Sequence, residues 1–205
     1  MIKNIIFDMS EVIISGYFGV EHYMEKNYNI PAEEFLKRKQ IDTLEYFFDT
    51  MRGKHSEDEY CSYLLEGTDW KISVDELKKV FRKNLNIPIP GVMSIIKELK
   101  DKYNLILLSD YVKEWREWLF ENNSELSIFD YMYFSYEHKK LKSDDGTFQF
   151  IIDTLKLKPE ETIFIDDLEQ NVASAQKSGI SGIVFKNANQ LREELINLDI
   201  LPIEK

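Results

Sequence analysis

Short apolar runs that alternate with helical patterns constrain the fold of this chain more than any other feature. Four runs, at residues 2–7, 105–108, 162–165 and 182–185, are rich in Ile, Leu, Val or Phe and end at polar or turn residues. A fifth candidate spans residues 131–135. Short continuous apolar runs are typical of strands that are covered on both faces, so we predict a parallel sheet.

Helical patterns stand between the runs, and Gly179 is a stop signal after one of them. The segment YVKEWREWLFEN places Trp115 and Trp118 on one side of its predicted helix. We interpret these two residues as core packing rather than a ligand platform. Strands that alternate with helices in this way predict a doubly wound α/β fold. The helical segments are GVMSIIKELKDKY, YVKEWREWLFEN, DDGTFQFIIDTLKL, LEQNVASAQKSG and NQLREELINL.

Residues 16–88 interrupt this alternation, because they contain no convincing strand pattern. We therefore predict a small all-helical domain at residues 16–88, inserted into a core domain of residues 1–15 and 89–205. The segment NIPIPG, at residues 86–91, is the predicted return linker. The inserted helical segments are VEHYMEKNY, PAEEFLKRKQ, TLEYFFDTMRG, SEDEYCSYLLEG and SVDELKKVFRKNL.

Composition narrows the classes of partner and compartment. Hydrophobic residues make up 43% of the 205 residues, so the chain can bury a real core. The formal net charge of -11 repels nucleic acid and anionic lipid, and we expect neither as a partner. The single cysteine, Cys61, excludes an intramolecular disulfide, and we interpret it as a small buried residue. Without a signal-peptide pattern or an apolar window long enough for a membrane span, we expect a cytoplasmic protein.

Chemically active side chains stand directly after three of the apolar runs. Ligands of parallel α/β sheets bind outside the carboxyl ends of the strands, so we expect these side chains to converge on one crevice. Taken singly, each is as well explained as a helix cap, a turn former or a solvated lysine. Their joint placement favours a functional site. The residues are Asp8, Ser109, Asp110, Asp166 and Asp167, together with Lys142 from the loop HKKLKSDDG.

This set of residues suits phosphoryl transfer. A carboxylate can attack phosphorus and form an aspartyl-phosphate. Mg²⁺ prefers oxygen ligands and commonly takes one or two carboxylates together with water and substrate phosphate. A lysine and a hydroxyl group can hold the phosphoryl oxygens and stabilise the charge that develops on them.

The four segments that carry these residues resemble the motifs of the haloacid dehalogenase (HAD) superfamily. NIIFDMSEVI is similar to the first motif, a strand that ends in the nucleophilic Asp, and LILLSD to the second, a strand that ends in Ser or Thr. LKSDDGTFQFII resembles the third motif, and TIFIDDLEQNVASAQKSGI the fourth. The resemblance covers nearly the whole predicted core. It implies a Rossmann-like sheet with helices on both faces, and a helical cap after the first motif.

The resemblance also implies a role for each residue around a Mg²⁺ ion. Asp8 would be the nucleophile, and Asp167 the main metal ligand of the fourth motif. Ser109 and Lys142 would hold the transferred phosphoryl group, and Asn171 would support the fourth-motif loop. The implied metal ligands are Asp8, Asp166, Asp167 and the backbone carbonyl of Ser10. The residues implied on the substrate side are Ser10, Ser109, Asp110 and Lys142.

Three positions depart from the family pattern. Ser10 stands where family phosphatases usually have a second Asp, which protonates the leaving alcohol and then activates water. Such general acid-base help typically contributes about 10²–10⁴-fold, so we expect slow turnover of substrates with poor leaving groups. Glu11 stands where Gly is frequent, and Asp110 where Asn is frequent. One hypothesis is that Asp110 or Glu11 replaces the missing acid.

The resemblance therefore implies a Mg²⁺-dependent phosphatase of a small phosphorylated metabolite. Two alternatives stay open: dehalogenase or phosphonatase chemistry, which does not need the second Asp, and a catalytically silent binding protein. A phosphonatase would need a cap lysine that forms a Schiff base. The candidates for it are Lys26, Lys37, Lys39 and Lys54. The sequence makes no prediction of the oligomeric state.

Overall fold

Five parallel strands form one sheet in the computed structural model, which describes residues 1–16 and 19–203. The strand order is β3-β2-β1-β4-β5, so the first strand lies at the centre. This arrangement confirms the predicted α/β fold. The strands are β1 (Asn4–Phe7), β2 (Asn104–Ser109), β3 (Tyr131–Phe134), β4 (Thr162–Asp166) and β5 (Ser181–Val184).

Most predicted strand ends differ from the observed ones by one or two residues, and two predicted strands run one residue too far at their carboxyl ends. Ser135 begins a short helix instead of ending β3, and its hydroxyl group donates to the carbonyl of Met51 at 2.6 Å. Phe185 follows β5, although its N–H still donates to the carbonyl of Asp166 at 2.9 Å. Ser135 is small and Phe185 is apolar. Composition alone therefore does not show that either residue lies just outside a strand.

The described residues contain eleven α-helices. Two of them begin with a capping box, at Ser56 with Glu59 and at Ser73 with Glu76, which explains where these helices start. The helices are α1 (Val20–Tyr28), α2 (Ala32–Lys37), α3 (Leu44–Met51), α4 (Glu57–Leu65), α5 (Val74–Asn84), α6 (Val92–Leu99), α7 (Lys113–Asn122), α8 (Ser135–His138), α9 (Thr147–Leu155), α10 (Glu169–Lys177) and α11 (Ala188–Asn197).

The sheet is buried on both faces, as the continuous apolar runs predict. Ile5 and Phe7 of β1 point to one face, where residues of α6, α7 and α11 pack. Ile6 points to the other face and packs with residues of α9 and α10. The helices therefore cover both sides of the sheet, which is the doubly wound arrangement.

The described part of residues 16–88 forms the helices α1–α5 between β1 and α6. Their buried residues, among them Phe35, Tyr60 and Phe81, belong to the same hydrophobic cluster as one face of the sheet. Cys61 is buried in this cluster too, as expected. The return linker pairs with the outgoing chain: the N–H of Ser15 donates to the carbonyl of Ile87 at 2.7 Å. The boundaries of a separate cap domain stay a prediction.

None of the helices in the described residues could span a membrane, because none combines the necessary length with the necessary apolar character.

Candidate active site

The carboxyl ends of β1 and β4 place two acidic residues side by side. Asp8 directly follows β1, and its N–H donates to the carbonyl of Ile165 at 2.8 Å. Asp166 is the last residue of β4, which pairs with β1 in parallel register. The regular parallel ladder therefore fixes the positions of both carboxylates, and both are buried.

Lys142 joins these two carboxylates from the loop before α9. Its Nζ lies 2.8 Å from Oδ2 of Asp8 and 2.7 Å from Oδ2 of Asp166. Its backbone N–H donates to both carboxylate oxygens of Asp110, at 3.0 and 3.1 Å. Asp110 follows β2, so residues from three strand ends hold this one lysine in place.

The electrostatics of the cluster follow from burial and from the neighbouring charges. Burial raises the pKa of Asp8 well above its usual range and the charge of Asp166 raises it further, while Lys142 acts in the opposite direction. Burial alone would lower the pKa of Lys142, but the charges of Asp8 and Asp166 raise it above its usual range. Lys142 is therefore a firmly protonated cation beside Asp8.

Asp166 and Asp167 have different surroundings although they are adjacent. Asp166 accepts hydrogen bonds from the N–H of Leu168 at 2.8 Å and from the side-chain amide of Asn171 at 3.0 and 3.2 Å, in addition to Lys142. Asp167 is half-buried, and burial with the nearby charge of Asp166 raises its pKa to about 6. Asp166 thus organises the loop, whereas Asp167 faces the cavity described below.

The cluster has the composition of a divalent-cation site. Asp8, Asp166 and Asp167 each offer a carboxylate oxygen, and these three oxygens lie within 4.8 Å of one another. Three carboxylates against one lysine leave an excess of negative charge, which a divalent cation would neutralise. Hard oxygen donors are the ligands that Mg²⁺ prefers, so the residues fit this ion.

Two buried hydroxyl groups near the cluster have no hydrogen-bond partner within the described residues. They belong to Ser109, the last residue of β2, and to Tyr111. Burial raises the pKa of Tyr111 above its usual range, and the charge of Asp8 adds to this effect. Because buried polar groups are normally paired, these hydroxyl groups suit a site that a polar ligand completes.

The turn after β1 explains the position of Glu11. Glu11 adopts a φ of 58°, in the left-handed region that favours glycine. Its Oε1 accepts a hydrogen bond from the N–H of Gly16 at 2.7 Å. A Cβ atom on Gly16 would lie 2.8 Å from that oxygen, so a larger residue there would displace the Glu11 carboxylate. The Glu11 carboxylate therefore closes the turn that carries Ser10.

A cavity of about 440 Å³ opens above these residues. Sequence reasoning placed Asp8, Ser10, Asp110, Lys142 and Asp167 together, and all five line it. Ser109 and Asp166 are fully buried and do not line it. Sequence reasoning missed several lining residues, and α3 supplies the largest group of them. The mostly apolar ones are Leu44, Phe47, Phe48, Met51, Leu85, Tyr111 and Trp115, and the others are Gly16, Gln40, Leu141, Ser143, Leu168 and Gln170.

One of the four candidate cap lysines reaches the cavity. Lys39 lines it and is fully buried, and Oε2 of Glu21 lies 3.3 Å from its Nζ. Burial lowers the pKa of Lys39, and Glu21 partly offsets this effect. The other three candidates, Lys26, Lys37 and Lys54, are exposed.

Two arginines of the insertion, Arg38 and Arg52, have structural partners. Arg38 donates to the backbone carbonyls of Leu64, Tyr63 and Glu66 at the end of α4. Arg52 forms a two-bond ion pair with Asp144, with nitrogen-oxygen distances of 2.7 and 3.1 Å. We therefore assign no substrate contact to either arginine.

Comparison with known proteins identifies the family. The sequence model of haloacid dehalogenase-like hydrolases matches residues 2–179, which is most of the chain. The protein therefore belongs to this family, and it is a hydrolase. This result confirms the resemblance that the four motifs indicate.

Relatives with this fold include phosphatases. The chain is 26% identical to D-ribitol-5-phosphate phosphatase of Bacteroides thetaiotaomicron, over 95% of this chain and 97% of that protein. It is 23% identical to Flavin mononucleotide hydrolase 1 of Arabidopsis thaliana, over 96% of this chain and 77% of that protein. A solved structure of an alanine mutant of a HAD family enzyme from Bacteroides thetaiotaomicron, in complex with magnesium and inorganic phosphate, matches with a TM-score of 0.77 and 25% identity. That match covers 91% of this chain and 95% of the solved one.

Proposed function

We propose that this hydrolase is a Mg²⁺-dependent phosphatase of a small phosphate ester, with Asp8 as its nucleophile. One observation carries the proposal. Asp8 is buried at the end of the central strand, with Lys142 2.8 Å from one of its oxygens and the Asp167 carboxylate in the same cluster. The magnesium and phosphate complex of a relative supports the same reading for this chain.

The reaction begins with attack of an Asp8 carboxylate oxygen on phosphorus. The bond from phosphorus to the organic oxygen breaks, and its electron pair leaves with that oxygen. Lys142 holds a phosphoryl oxygen and stabilises the negative charge that develops there. Asp110 fixes the backbone of Lys142 and so orients the lysine.

Water then attacks the phosphorus of the aspartyl-phosphate, and the Asp8 carboxylate leaves. The water proton passes to the phosphate product, so atoms and charges balance. Asp8, Asp167 and the backbone carbonyl of Ser10 would hold Mg²⁺, with Asp166 directly or through water. When bound, this ion neutralises charge on the phosphoryl oxygens.

Ser10 shapes the rate of both steps. Its hydroxyl group is a poor acid and a poor base near neutral pH, so it neither protonates the leaving oxygen nor activates water. The two carboxyl groups that could replace it are both held as acceptors, Glu11 by the N–H of Gly16 and Asp110 by the N–H of Lys142. We infer that substrates with good leaving groups react fastest.

Phosphate release from p-nitrophenyl phosphate with Mg²⁺ tests the proposal, because this leaving group needs no acid. Wild type is compared with Asp8→Asn, which keeps the size of the side chain but removes its nucleophilic charge. We expect turnover in wild type and none above background in the variant. Equal rates in both, or no turnover in wild type, would favour a binding protein or a different chemistry.

A second candidate function rests on Lys39. A buried lysine with a lowered pKa that lines the cavity suits Schiff-base formation with a carbonyl-containing phosphonate. Borohydride reduction in the presence of phosphonoacetaldehyde would attach the substrate to Lys39 if this chemistry operates. The absence of attachment, with Lys39→Met as the matched control, would exclude it.

A further inference from the structure

The cavity has an apolar wall that the proposed phosphoryl chemistry does not use. Leu44, Phe47, Phe48 and Met51 occupy positions i, i+3, i+4 and i+7 of α3, so they share one face of that helix. Leu85 adds to the same lining. Lining of this kind binds the apolar part of a small ligand.

Two aromatic rings extend this wall from the start of α7. The ring centroid of Trp115 lies 5.9 Å from that of Phe47 and 6.2 Å from that of Tyr111. The indole N–H of Trp115 donates to Glu57 at 2.8 Å, which fixes the ring and occupies its polar atom. We call these seven residues the apolar wall: Leu44, Phe47, Phe48, Met51, Leu85, Tyr111 and Trp115.

The hydrogen-bonding capacity of the apolar wall is small. Its described side chains carry two N or O atoms, the paired indole nitrogen and the Tyr111 hydroxyl group, which has no partner among the described residues. Hydroxyl groups of a polyol that face this wall would be unpaired, and this penalty opposes binding there, although Gln40, Ser143 and Gln170 line other parts of the same cavity. The wall therefore suits an organic group with a large apolar surface and few polar atoms.

The leaving group is restricted by a different observation. Ser10 offers no effective acid, and the nearby carboxylates of Glu11 and Asp110 are held as acceptors by backbone N–H groups. With no proton donor at position 10, we expect the organic oxygen to leave as an anion, without a proton. This happens readily when the parent alcohol is itself acidic, as a phenol is.

We propose that the substrate is a phosphate monoester of an apolar, acidic alcohol of the phenol class, whose ring packs on the apolar wall. The Tyr111 hydroxyl group donates to an oxygen of this substrate. In the first step the phosphorus–oxygen bond breaks and the phenolate leaves with its electron pair, while phosphorus bonds to Asp8. The inference rests on the proposed phosphatase function and differs from the ribitol ester in the name of a relative.

Three esters separate the two parts of this proposal. The value of kcat/KM is measured with Mg²⁺ for phenyl phosphate, benzyl phosphate and D-ribitol 5-phosphate. Benzyl phosphate is apolar with a poor leaving group, and ribitol phosphate is polar with a poor leaving group. We expect kcat/KM for phenyl phosphate to exceed that for benzyl phosphate by about tenfold or more, because no general acid helps the benzyl oxygen to leave. We expect kcat/KM for benzyl phosphate to exceed that for D-ribitol 5-phosphate by about tenfold, which is typical of a matched apolar pocket.

Variants of α3 test the apolar wall directly. Phe48→Gln and Leu44→Gln place a polar group at half-buried positions of the wall. Glu45→Gln, on the exposed side of the same helix, is the matched control. We expect both wall variants to lower kcat/KM for benzyl phosphate about tenfold without changing inhibition by inorganic phosphate, and the control to leave both unchanged. Tyr111→Phe should raise KM for phenyl phosphate with little change in folding.

The outcomes distinguish a failure of the proposed substrate class from a failure of the proposed phosphatase function. If ribitol phosphate is turned over as well as benzyl phosphate, or the wall variants behave as Glu45→Gln does, the substrate class is overturned and the phosphatase function stands. If p-nitrophenyl phosphate and all three esters are inert, both are overturned.

Discussion

Position 10 is where we expect a single substitution to raise the rate most. The sequence predicts a missing acid at this position, and the structure places Ser10 in the lining of the cavity beside Asp8. We expect Ser10→Asp to raise kcat/KM for benzyl phosphate by about 10²-fold or more, because it supplies general acid help.

Ser10→Ala is the matched control for that experiment, and it should leave the rate as it is in wild type. Asp110→Asn tests the competing hypothesis that Asp110 is the acid. A gain for Ser10→Asp with no loss for Asp110→Asn would reject the Asp110 hypothesis. Equal rates for Ser10→Asp and Ser10→Ala would contradict our account of position 10.

Asp110 also makes the stability of the protein depend on pH. Burial raises its pKa to about 6, above the usual value of about 4. The folded state therefore binds this proton more tightly than the unfolded state, and the free energy of unfolding falls as pH rises from about 4 through 6. We expect Asp110→Asn to stabilise the protein by roughly 1–3 kcal/mol at pH well above 6 and by little at low pH, at about 1.4 kcal/mol per pKa unit.

Denaturant unfolding in EDTA at the two ends of that pH range checks this expectation. The asparagine oxygen can still accept the hydrogen bond from the N–H of Lys142, so the loop keeps its anchor. The same difference in stability at both pH values, or a loss at high pH, would contradict it.

The functional residues could be predicted from the sequence where the candidate site is built at the ends of strands. Asp8, Asp166, Asp167 and Lys142 were expected to converge because parallel strands end at one edge, and they do lie together. Their catalytic roles stay predictions. The sequence does not indicate that Tyr111 lines the site. An aromatic residue near the start of a helix is interpreted as a core residue unless the position of the neighbouring helix is known.

At the scale of elements, α3 forms one side of the cavity and also contacts the core loop that carries Lys142. Arg52, just after α3, pairs with both carboxylate oxygens of Asp144. Asp144 in turn accepts from the N–H of Leu141 at 2.9 Å, next to Lys142. We expect this chain of contacts to couple the position of the helix to the position of the lysine.

We expect Arg52→Gln to lower kcat/KM for p-nitrophenyl phosphate about tenfold, since small displacements of catalytic groups have large effects on rate. Stability should fall by only about 1 kcal/mol or less, because the pair is partly exposed. Steady-state kinetics and thermal unfolding measure the two effects.

Lys54→Gln is the control for Arg52→Gln, because Lys54 pairs with Asp49 and is exposed. It should change neither quantity. If Arg52→Gln lowers stability and leaves kcat/KM untouched, the ion pair is structural and does not position Lys142.

Elements were the easiest level to predict. Apolar runs and helical periodicity identified all five strands and the helical insertion, because each depends on local pattern and burial. The ends of β3 and β5 and the face of α3 that lines the cavity depend on tertiary contacts, such as the bond from Ser135 to Met51. Local sequence does not contain that information.

At the scale of the whole molecule, one cluster of buried residues joins the insertion to a face of the sheet. The motif resemblance predicted the fold as a whole, whereas the cavity requires the insertion to be packed against the sheet. Loss or gain of a ligand at the carboxylate cluster should therefore affect the stability of the entire protein.

Mg²⁺ should raise the melting temperature, because the proposed site would bind the ion in the folded state and so relieve the repulsion between the carboxylates. At a hundredfold excess over Kd the stabilisation is about 2.7 kcal/mol, or roughly 5–10 °C for a chain of this size. Thermal unfolding with Mg²⁺ or EDTA measures it. Asp167→Asn should lose most of this shift, while Asp145→Asn, at an exposed position, should keep it. A full shift in Asp167→Asn would contradict the proposed metal site.

The central claim, that Asp8 accepts the phosphoryl group, is tested most directly by the mass of the intact protein. Wild type turning over phenyl phosphate with Mg²⁺ is quenched in acid, and the protein is weighed and digested. Because Ser10 activates water poorly, we predict that a large fraction carries one phosphoryl group on Asp8, and that Ser10→Asp carries less. Sustained turnover with no phosphoryl group on Asp8 would contradict the account.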